Sequence, residues 1–237
     1  MQSDQGRRVA DEEKRYYSLV KRAFGTLAPV YDIFVTPMAG LRDRVVSFAD
    51  AKPGSRILDV GTGTGKQAFA FAKLGYDVVG VDLSDAMLKV ASKKNRYKNA
   101  TFSMADAANL PFADAGFDVS CTSFVIHTMP STIRERVLKE MVRVTRPGGM
   151  VLIVDFGLPQ NRLHRLLDYS LIYGVFSLFH GHRYYAEFVK SDLKALLGKL
   201  GVETEKELSV LLGSGRVLKG VKRANHPVRE AGRQQGN

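Results

Sequence analysis

The sequence predicts a doubly wound α/β fold, in which helices cover both faces of a mostly parallel sheet. Short apolar strands alternate with amphipathic helices from about residue 56 to residue 154, and the connections between them are short. Further along the chain, two more strand patterns flank Gly213, Ser214 and Gly215, which predicts an antiparallel hairpin at one edge of the sheet.

The two ends of the chain flank this region with different patterns. Apolar residues recur at helical spacing before residue 50, with Pro29 and Pro37 as interruptions, which predicts an N-terminal helical segment over residues 1–50. The first ten residues are polar and are expected to be frayed, and residues 224–237 are expected to form a disordered tail. We therefore assign the main domain to residues 51–223.

The elements of the main domain follow from periodicity and turn residues. The predicted parallel strands lie at residues 56–60, 77–81, 101–104, 117–124 and 150–154. The predicted helices lie at residues 67–74, 84–94, 132–144 and 191–200. Ser84 is expected to cap the second helix, and Thr132 with Glu135 has the spacing of a capping box at the start of the third. The edge hairpin is predicted at residues 202–212 and 217–223.

Composition limits the classes of protein that fit. At 237 residues the chain suits one large domain, and its 45% hydrophobic content argues against global disorder. The single cysteine, Cys121, excludes an intramolecular disulfide and a thiolate metal cluster. The N-terminus lacks the apolar run of a secretory signal, and the sequence has no apolar stretch long enough to span a bilayer, so we expect a cytoplasmic protein.

The net charge of +11 favours anionic partners such as nucleic acid, an acidic lipid surface or a phosphorylated substrate. The basic residues are scattered along the chain and form no dense polybasic block. A solvated basic surface is therefore the interpretation that we prefer, with nucleic acid disfavoured as a partner.

A glycine-rich loop, residues 61–65, follows the first predicted strand and lets a ligand approach the backbone closely. A phosphate-binding P-loop has a glycine five residues before the glycine of its Gly-Lys pair, and a serine or threonine after the lysine. Here those two positions hold Val60 and Gln67, so the loop does not match a P-loop. It also fails the dinucleotide fingerprint, because Lys66 stands where a small residue is required.

Three carboxylates follow successive strands and complete a different pattern. Asp59 precedes the glycine-rich loop, Asp82 ends the second strand and Asp106 follows the third. A carboxylate at the position of Asp82 can accept both ribose hydroxyls of a nucleoside. Asp106 can accept from an adenine amine while Leu83 and Met87 pack on the ring.

Five segments that include these residues resemble the motifs of a class I S-adenosylmethionine-dependent methyltransferase. The resemblance points to the type 11, quinone-methyltransferase-like branch, which contains the quinone-ring C-methyltransferases and many small-molecule relatives. The matching segments are ILDVGTGTGK (57–66), VVGVDLSDAML (78–88), MADAANLPF (104–112), FDVSCTSFVIH (117–127) and RVTRPGGMVLIVDF (143–156).

The resemblance implies a Rossmann-like fold, with five parallel strands and the edge hairpin in one seven-stranded sheet, and S-adenosyl-L-methionine as the cofactor. The implied cofactor-binding residues are Asp59, Gly61, Gly63 and Gly65 at the methionine moiety, Asp82 at the ribose, Asp106 with Ala107 at the adenine, and Ser123 near the amino group. Residues 1–50 would close over the cofactor, with Tyr31 in the closing segment.

Two residues are candidates for catalysis. His127 follows the fourth strand, where a side chain faces the crevice, and could act as a general base if the nucleophile carries a proton. Tyr31 could donate a hydrogen bond or stack, and a purely structural role stays open for both residues. The quinone enzymes carry Gly-Leu-Arg-Asn after the fourth strand where this chain has residues 124–130, so the acceptor is left open.

An apolar segment follows the fifth strand. Residues 171–179 carry no charge, and we expect residues 160–185 to form a helical lid over the acceptor, with an oligomer contact as the alternative. The expected acceptor contacts are Tyr173, Phe176 and Tyr184. His180 and His182 have no companion ligands, so no metal site is predicted.

The sequence therefore predicts methyl transfer, with methyl and nucleophile in line, to a small acceptor that is hydrophobic, aromatic or lipid-like. Two alternatives stay open: an RNA methyltransferase, and a non-catalytic module that binds S-adenosylmethionine. A monomer or homodimer fits the sequence, as does peripheral contact with an anionic membrane at its inner surface.

Overall fold

The computed structural model describes residues 2–35, 39–157 and 182–224. The helices are α1 (Gln2–Leu27), α2 (Tyr31–Val35), α3 (Ala39–Ala49), α4 (Lys66–Ala72), α5 (Asp85–Lys94), α6 (Ser131–Val144), α7 (His182–Lys190) and α8 (Leu193–Lys199). The strands are β1 (Arg56–Val60), β2 (Asp77–Asp82), β3 (Ala100–Met104), β4 (Phe117–Ser123), β5 (Thr145–Phe156), β6 (Val202–Val210) and β7 (Gly215–Lys222).

The seven strands form one sheet in the order β3-β2-β1-β4-β5-β7-β6. Strands β1 to β5 are parallel to one another, whereas β7 runs antiparallel between β5 and β6. The predicted fold class, including the antiparallel edge hairpin, is confirmed. Strand β1 pairs with β2 on one side and β4 on the other, which makes this the topological switch point where ligands bind in open α/β sheets.

Two apolar cores lie on opposite faces of the sheet because β1 is buried on both sides. Leu58 packs in the core formed with α6, α7 and α8, and its neighbour Ile57 packs in the core formed with α3 and α4. Both side chains are fully buried. Continuous apolar strands of this kind are typical of a parallel sheet covered by helices on both faces.

Of the two helix caps that the sequence predicts, one is confirmed and the other is wrong. Ser84 caps α5 as predicted, since its Oγ accepts a hydrogen bond from the Met87 N–H at 3.4 Å. The predicted capping box at Thr132 is wrong: α6 begins after Pro130 without a side-chain cap. The Thr132 hydroxyl donates instead to Glu13 of α1 at 2.9 Å, so it joins two helices.

Three further differences concern element bounds. Helix α1 begins at Gln2, so residues 2–10 are helical rather than frayed. Strand β5 begins at Thr145, ahead of the predicted start, because Thr145 pairs with Phe117 of β4 before the turn-forming Gly148, which has a φ of 70°. Helix α7 was not predicted as a separate helix.

Several predictions lie outside the described residues. They are the part of the predicted lid (residues 160–185) up to residue 181, with Tyr173 and Phe176, the interruption at Pro37, and the predicted tail (residues 224–237) beyond residue 224. Among the helices that the structure describes, none is both long and apolar enough to cross a bilayer.

Candidate cofactor and active site

A groove lies at the carboxyl ends of the central parallel strands, and α1 forms its roof. It encloses about 750 Å³ of empty space, counting the part that is open to solvent. The predicted site residues that line it are Tyr31, Gly61, Asp82, Leu83, Met87, Asp106, Ala107 and Ser123. The structure therefore brings together most of the residues that the sequence motifs singled out.

The glycine-rich loop is shaped by close packing at its first glycine. Gly61 has a φ of 70°, and its N–H donates to the Val81 carbonyl at 2.8 Å. A Cβ at this position would lie 2.6 Å from a methyl carbon of Val125, so only glycine fits here. Gly63 has a φ of 55°, and a Cβ there would meet no atom within 4 Å, so the backbone at Gly63 borders open space.

Asp82 clamps the end of β2 to the glycine-rich loop. Its Oδ2 accepts from the Gly63 N–H and its Oδ1 from the Ser84 N–H, both at 2.8 Å. Burial raises the pKa of Asp82, and the backbone N–H groups oppose that shift by stabilising the charge. Each oxygen retains a lone pair, so the carboxylate fits the two hydroxyls of a ribose.

Asp106 lines the groove and also accepts a hydrogen bond from α1, the helix that covers it. Its Oδ1 accepts from the Ala108 N–H at 2.9 Å, and its Oδ2 accepts from the Tyr17 hydroxyl at 2.9 Å. Burial and the hydrogen bond to Asp106 raise the pKa of Tyr17 to about 12, so this hydroxyl stays a donor at neutral pH.

The sequence analysis placed the N-terminal segment over the cofactor but did not single out the residues of α1 that line the groove. Tyr16, Tyr17, Val20 and Phe24 of this helix line it. These residues recur with the spacing of one helical face, and that signal could have identified them as a surface placed against the sheet.

Three predicted cofactor residues, Asp59, Gly63 and Gly65, are absent from the lining of the groove. Asp59 is buried next to it, and its Oδ2 accepts from the Thr62 hydroxyl at 2.7 Å. Burial raises the pKa of Asp59 to about 6, with a contribution from the nearby charge of Asp82.

Asp32, a further residue that the sequence analysis missed, anchors α2 to the glycine-rich loop. Its carboxylate accepts from the Thr64 hydroxyl at 2.6 Å and from Lys94 Nζ of α5 at 2.5 Å. Lys66 Nζ lies 3.5 Å from the same carboxylate. The N-terminal segment is therefore tied by charge both to the loop and to α5.

The two candidate catalytic residues lie in different surroundings. Tyr31 lines the groove, and burial raises its pKa to about 12, so it is a neutral donor at physiological pH. His127 is buried, is absent from the groove lining, and packs edge-on against Phe156 and Tyr185. Its Nδ1 lies 2.7 Å from Asp155 Oδ1, and its backbone N–H donates to Asp155 Oδ2 at 3.2 Å.

Two other positions border this region. Phe124, at the end of β4, lines the groove with a φ of 57°, a conformation that favours glycine and signals local strain. The predicted acceptor contact Tyr184 lies on α7, and its hydroxyl donates to Glu12 of α1 at 3.3 Å rather than lining the groove.

Within the described part of the chain, no three His, Cys, Asp or Glu residues are grouped as a metal site requires.

The doubly wound sheet, the glycine-rich loop and the carboxylates at successive strand ends define a protein that binds an adenosine-type cofactor at the switch point of the sheet. A family model for a methyltransferase domain matches residues 58–153. A solved methyltransferase from Haloferax volcanii, in complex with the Trm112 methyltransferase activator, superimposes with a TM-score of 0.68 at 16% identity. That match covers 87% of this chain and 99% of the other, and it shows the fold alone.

Curated relatives narrow the family. The ubiquinone/menaquinone biosynthesis C-methyltransferase UbiE of Vibrio campbellii is 30% identical over 90% of this chain and 91% of its own length. A demethylmenaquinone methyltransferase of Paenarthrobacter aurescens is 39% identical, and the match covers 62% of this chain but only 59% of that relative. The chain belongs to the class I S-adenosylmethionine-dependent methyltransferases, in the quinone-methyltransferase-like branch. The cofactor of this family is S-adenosyl-L-methionine.

Proposed function

We propose that this protein transfers the methyl group of S-adenosylmethionine to a small acceptor with an aromatic or aliphatic body. The observation that carries the proposal is that the lining of the groove combines two chemically different kinds of side chain. Asp82 and Asp106 supply acceptor oxygens. The apolar side chains of the lining include Phe24, Val125, Met129, Ile133 and Val137.

The names of the relatives support a quinol-like ring as the acceptor. The relatives named above act, by name, on demethylmenaquinone or in ubiquinone and menaquinone biosynthesis. An apolar ring suits the apolar side chains of the lining, because burying the ring against them removes its surface from water. We therefore propose ring-carbon methylation of a reduced quinone or a similar aromatic lipid. Residues 124–130 differ from the Gly-Leu-Arg-Asn run of the quinone enzymes, so other apolar acceptors remain alternatives to a quinol.

The cofactor supplies a methyl group that is already activated as a sulfonium. The protein's contribution is to orient the reactants. Asp82 would hold the ribose hydroxyls, Asp106 with Ala107 the adenine, and Leu83 with Met87 the ring face. Holding the acceptor in line with the methyl group supplies much of the rate for such a transfer. Helix α1 and Tyr31 would cover the groove and exclude water from it.

Tyr31 and His127 have separate proposed roles in this scheme. Tyr31 would donate a hydrogen bond to an oxygen of the acceptor, since its hydroxyl stays protonated at neutral pH. His127 would take a proton from the acceptor with its ring oriented by Asp155. Because Tyr185 and Phe188 of α7 pack on the His127 ring, this role requires α7 to shift when the acceptor binds.

The test is methyl transfer from isotope-labelled S-adenosylmethionine to a set of acceptors under reducing conditions. A short-chain demethylmenaquinol, a benzoquinol and unmodified transfer RNA are the acceptors, and an Asp82→Asn variant is the control. Labelled quinol, lost in the variant, would support the proposal. Labelled RNA would favour the RNA methyltransferase. Binding of the cofactor without any methylated product from this set would favour the non-catalytic module.

A further inference from the structure

The guanidinium group of Arg216, on β7, has an unused hydrogen-bonding edge. Its Nε and Nη2 atoms are shielded from solvent, and neither has a hydrogen-bond partner in the described structure. The N–H groups of these two atoms point the same way and form the fork that pairs with two oxygens of one anion. Buried donors are rarely left unpaired in folded proteins, so this fork calls for an explanation, such as a bound ion.

A second buried arginine faces the same aromatic ring. Arg134 of α6 is only 3% exposed, and its Nη1 has no partner among the described residues, while its Nη2 donates to Glu187 of α7 at 2.8 Å. The guanidinium carbons of Arg134 and Arg216 lie 5.4 Å and 5.8 Å from the centre of the Phe188 ring. The ring face attracts both positive charges, but it leaves the unpaired N–H groups of the two arginines without acceptors.

The carboxylate opposite Arg216 is already engaged elsewhere. Asp155 pairs with Arg216 across β5 and β7, so the two side chains leave the sheet on the same face. The oxygens of the buried Asp155 take hydrogen bonds from His127 and from the Phe156 N–H. In the part of the chain that the structure describes, no ion pair joins Arg216 to a carboxylate. The two arginines therefore bring an excess of buried positive charge, which an anion would compensate.

We propose that Arg216 and Arg134 form a binding site for a phosphate group, beside His127 and outside the cofactor groove. Three unpaired nitrogens on two cations match the three terminal oxygens and the charge of about −2 that a phosphate group carries. The Arg216 fork would hold two of the oxygens and Arg134 the third. The Phe188 ring joins this site to His127, since the centres of the two rings are 6.5 Å apart. Neither arginine lines the groove.

Access to the site runs through α7. The fully buried Phe188 ring covers the arginines, and the neighbouring Glu187, whose side chain is 50% exposed, pairs with Arg134. An incoming phosphate would replace Glu187 at Arg134, and an ion pair of this exposure adds little stability. Outward movement of α7 would uncover both guanidinium groups, which is the same movement that the proposed role of His127 requires.

Two sources supply this chemistry, namely free inorganic phosphate and a phosphate ester on an apolar body. Titration calorimetry at constant ionic strength would therefore compare inorganic phosphate with hexyl phosphate, and hexanol would serve as the uncharged probe. The variant is Arg216→Met, because methionine fills much of the same space without the fork. Arg223→Met is the matched control, since Arg223 follows β7, is exposed and pairs with Glu203.

We expect the wild type to bind at least one of the two phosphate probes. Arg216→Met should weaken this binding by roughly tenfold or more, the scale of lost charge-assisted hydrogen bonds, and Arg223→Met should resemble the wild type. Tighter binding of hexyl phosphate would identify an ester on an apolar body as the source, and equal or tighter binding of inorganic phosphate would identify the free anion. The site would be overturned if the wild type binds neither probe, if hexanol binds as well as hexyl phosphate, or if Arg216→Met keeps the wild-type affinity.

Two further measurements keep the inference separate from folding and from the proposed function. If thermal unfolding shows that Arg216→Met does not fold, Arg216→Lys replaces it, because lysine keeps the charge but lacks the fork. Its phosphate affinity should fall severalfold, and a wild-type affinity would overturn the site. Binding of S-adenosylhomocysteine, the demethylated product of the cofactor, should be equal in the wild type and the variants. Methyl transfer without phosphate binding would overturn the site alone, whereas phosphate binding without S-adenosylhomocysteine binding would support the site and remove the proposed function.

Discussion

The hydroxyl of Tyr17 on α1 donates a 2.9 Å hydrogen bond to Oδ2 of Asp106, which follows β3. The two residues are 89 positions apart in the sequence, so the bond ties the N-terminal helix to the sheet. Asp106 is also the residue expected to accept from the adenine amine. If Asp106 binds the adenine as proposed, the position of α1 and the binding of the cofactor would depend on the same carboxylate.

Replacing Tyr17 with Phe should loosen α1 over the groove. A hydrogen bond to a charged group contributes about 1.5–3 kcal/mol, and partial exposure puts this one at the lower end. We expect faster amide hydrogen exchange along α1, measured by mass spectrometry. Tyr97→Phe is the control, because the Tyr97 ring packs on Phe69 at a different place. Equal exchange of α1 in Tyr17→Phe and the wild type would show that this bond does not hold the helix.

The Asp82→Asn substitution should separate ligand binding from folding. Asparagine can still accept one of the backbone hydrogen bonds from Gly63 and Ser84, but the charge that would bind the ribose hydroxyls is lost. We expect the affinity for S-adenosylhomocysteine to fall by about 2 kcal/mol in calorimetry. The temperature of unfolding without ligand should change little. An unchanged affinity would remove Asp82 from the cofactor site.

The sheet and its ligand-binding edge could be predicted from the sequence because their signals are local. Apolar runs define the strands, and glycines with carboxylates follow the strands at fixed positions. Asp82 and Asp106 accordingly line the groove as predicted. The motifs therefore identify residues of the groove without reference to distant parts of the chain.

The contacts that hold the N-terminal helices and the side chains around the groove join residues that are distant in the sequence. Asp32 binds Lys94 across 62 positions, and His127 binds Asp155 across 28. Nothing in the local pattern at either residue indicates its partner. Thr132 illustrates the same limit, because its spacing to Glu135 suggested a cap while its hydroxyl contacts Glu13 of another helix.

The anchoring of α2 by Asp32 should depend on pH. Burial by itself would raise the pKa of Asp32, but hydrogen bonds from Lys94 and Thr64, with the charge of Lys66, hold it below its ordinary value. Such a group stabilises the fold above its unfolded pKa of about 3.9, and the contribution is lost as the pH falls through the lower folded value.

The corresponding experiment compares unfolding temperatures of the wild type and Asp32→Asn between pH 7 and pH 3. The variant should be less stable at pH 7, by about 1 kcal/mol for a partly exposed ion pair. The difference should shrink as the pH falls toward 3. Asp43→Asn, at an exposed position on α3, serves as the control. A difference that stays constant over this range would contradict the role of the Asp32 charge.

An exposed apolar turn near basic residues offers a test of membrane contact. Val30 is 43% exposed and Ile33 is 72% exposed, and Lys94 of α5 reaches Asp32 between them. The exposed basic residues that surround the end of α5 are Lys93, Arg96 and Lys98. Apolar side chains beside cations are the combination that binds an anionic lipid surface.

We expect the protein to sediment with vesicles that contain anionic phospholipid at low salt and to be released at high salt. Ile33→Asp should reduce binding severalfold, and Leu74→Asp is the control, since Leu74 is 61% exposed beyond the end of α4. If the wild type does not sediment at low salt, an acceptor that is free in solution is the better hypothesis.

The last prediction concerns the proton on Asp59. Its folded pKa of about 6 lies above the unfolded value, so the ionised form is disfavoured in the fold. The ligand-free protein should therefore lose stability as the pH rises from about 4 to about 6, by about 3 kcal/mol at most.

If the ammonium group of the cofactor binds next to Asp59, it favours the carboxylate, and binding at pH 6 should release part of a proton. Calorimetry of S-adenosylhomocysteine in two buffers of different ionisation enthalpy measures this release. We expect a heat that depends on the buffer for the wild type, a smaller dependence for Asp59→Asn, and little dependence at pH 8. Equal heats for the wild type in both buffers at pH 6 would show that Asp59 does not respond to the ligand.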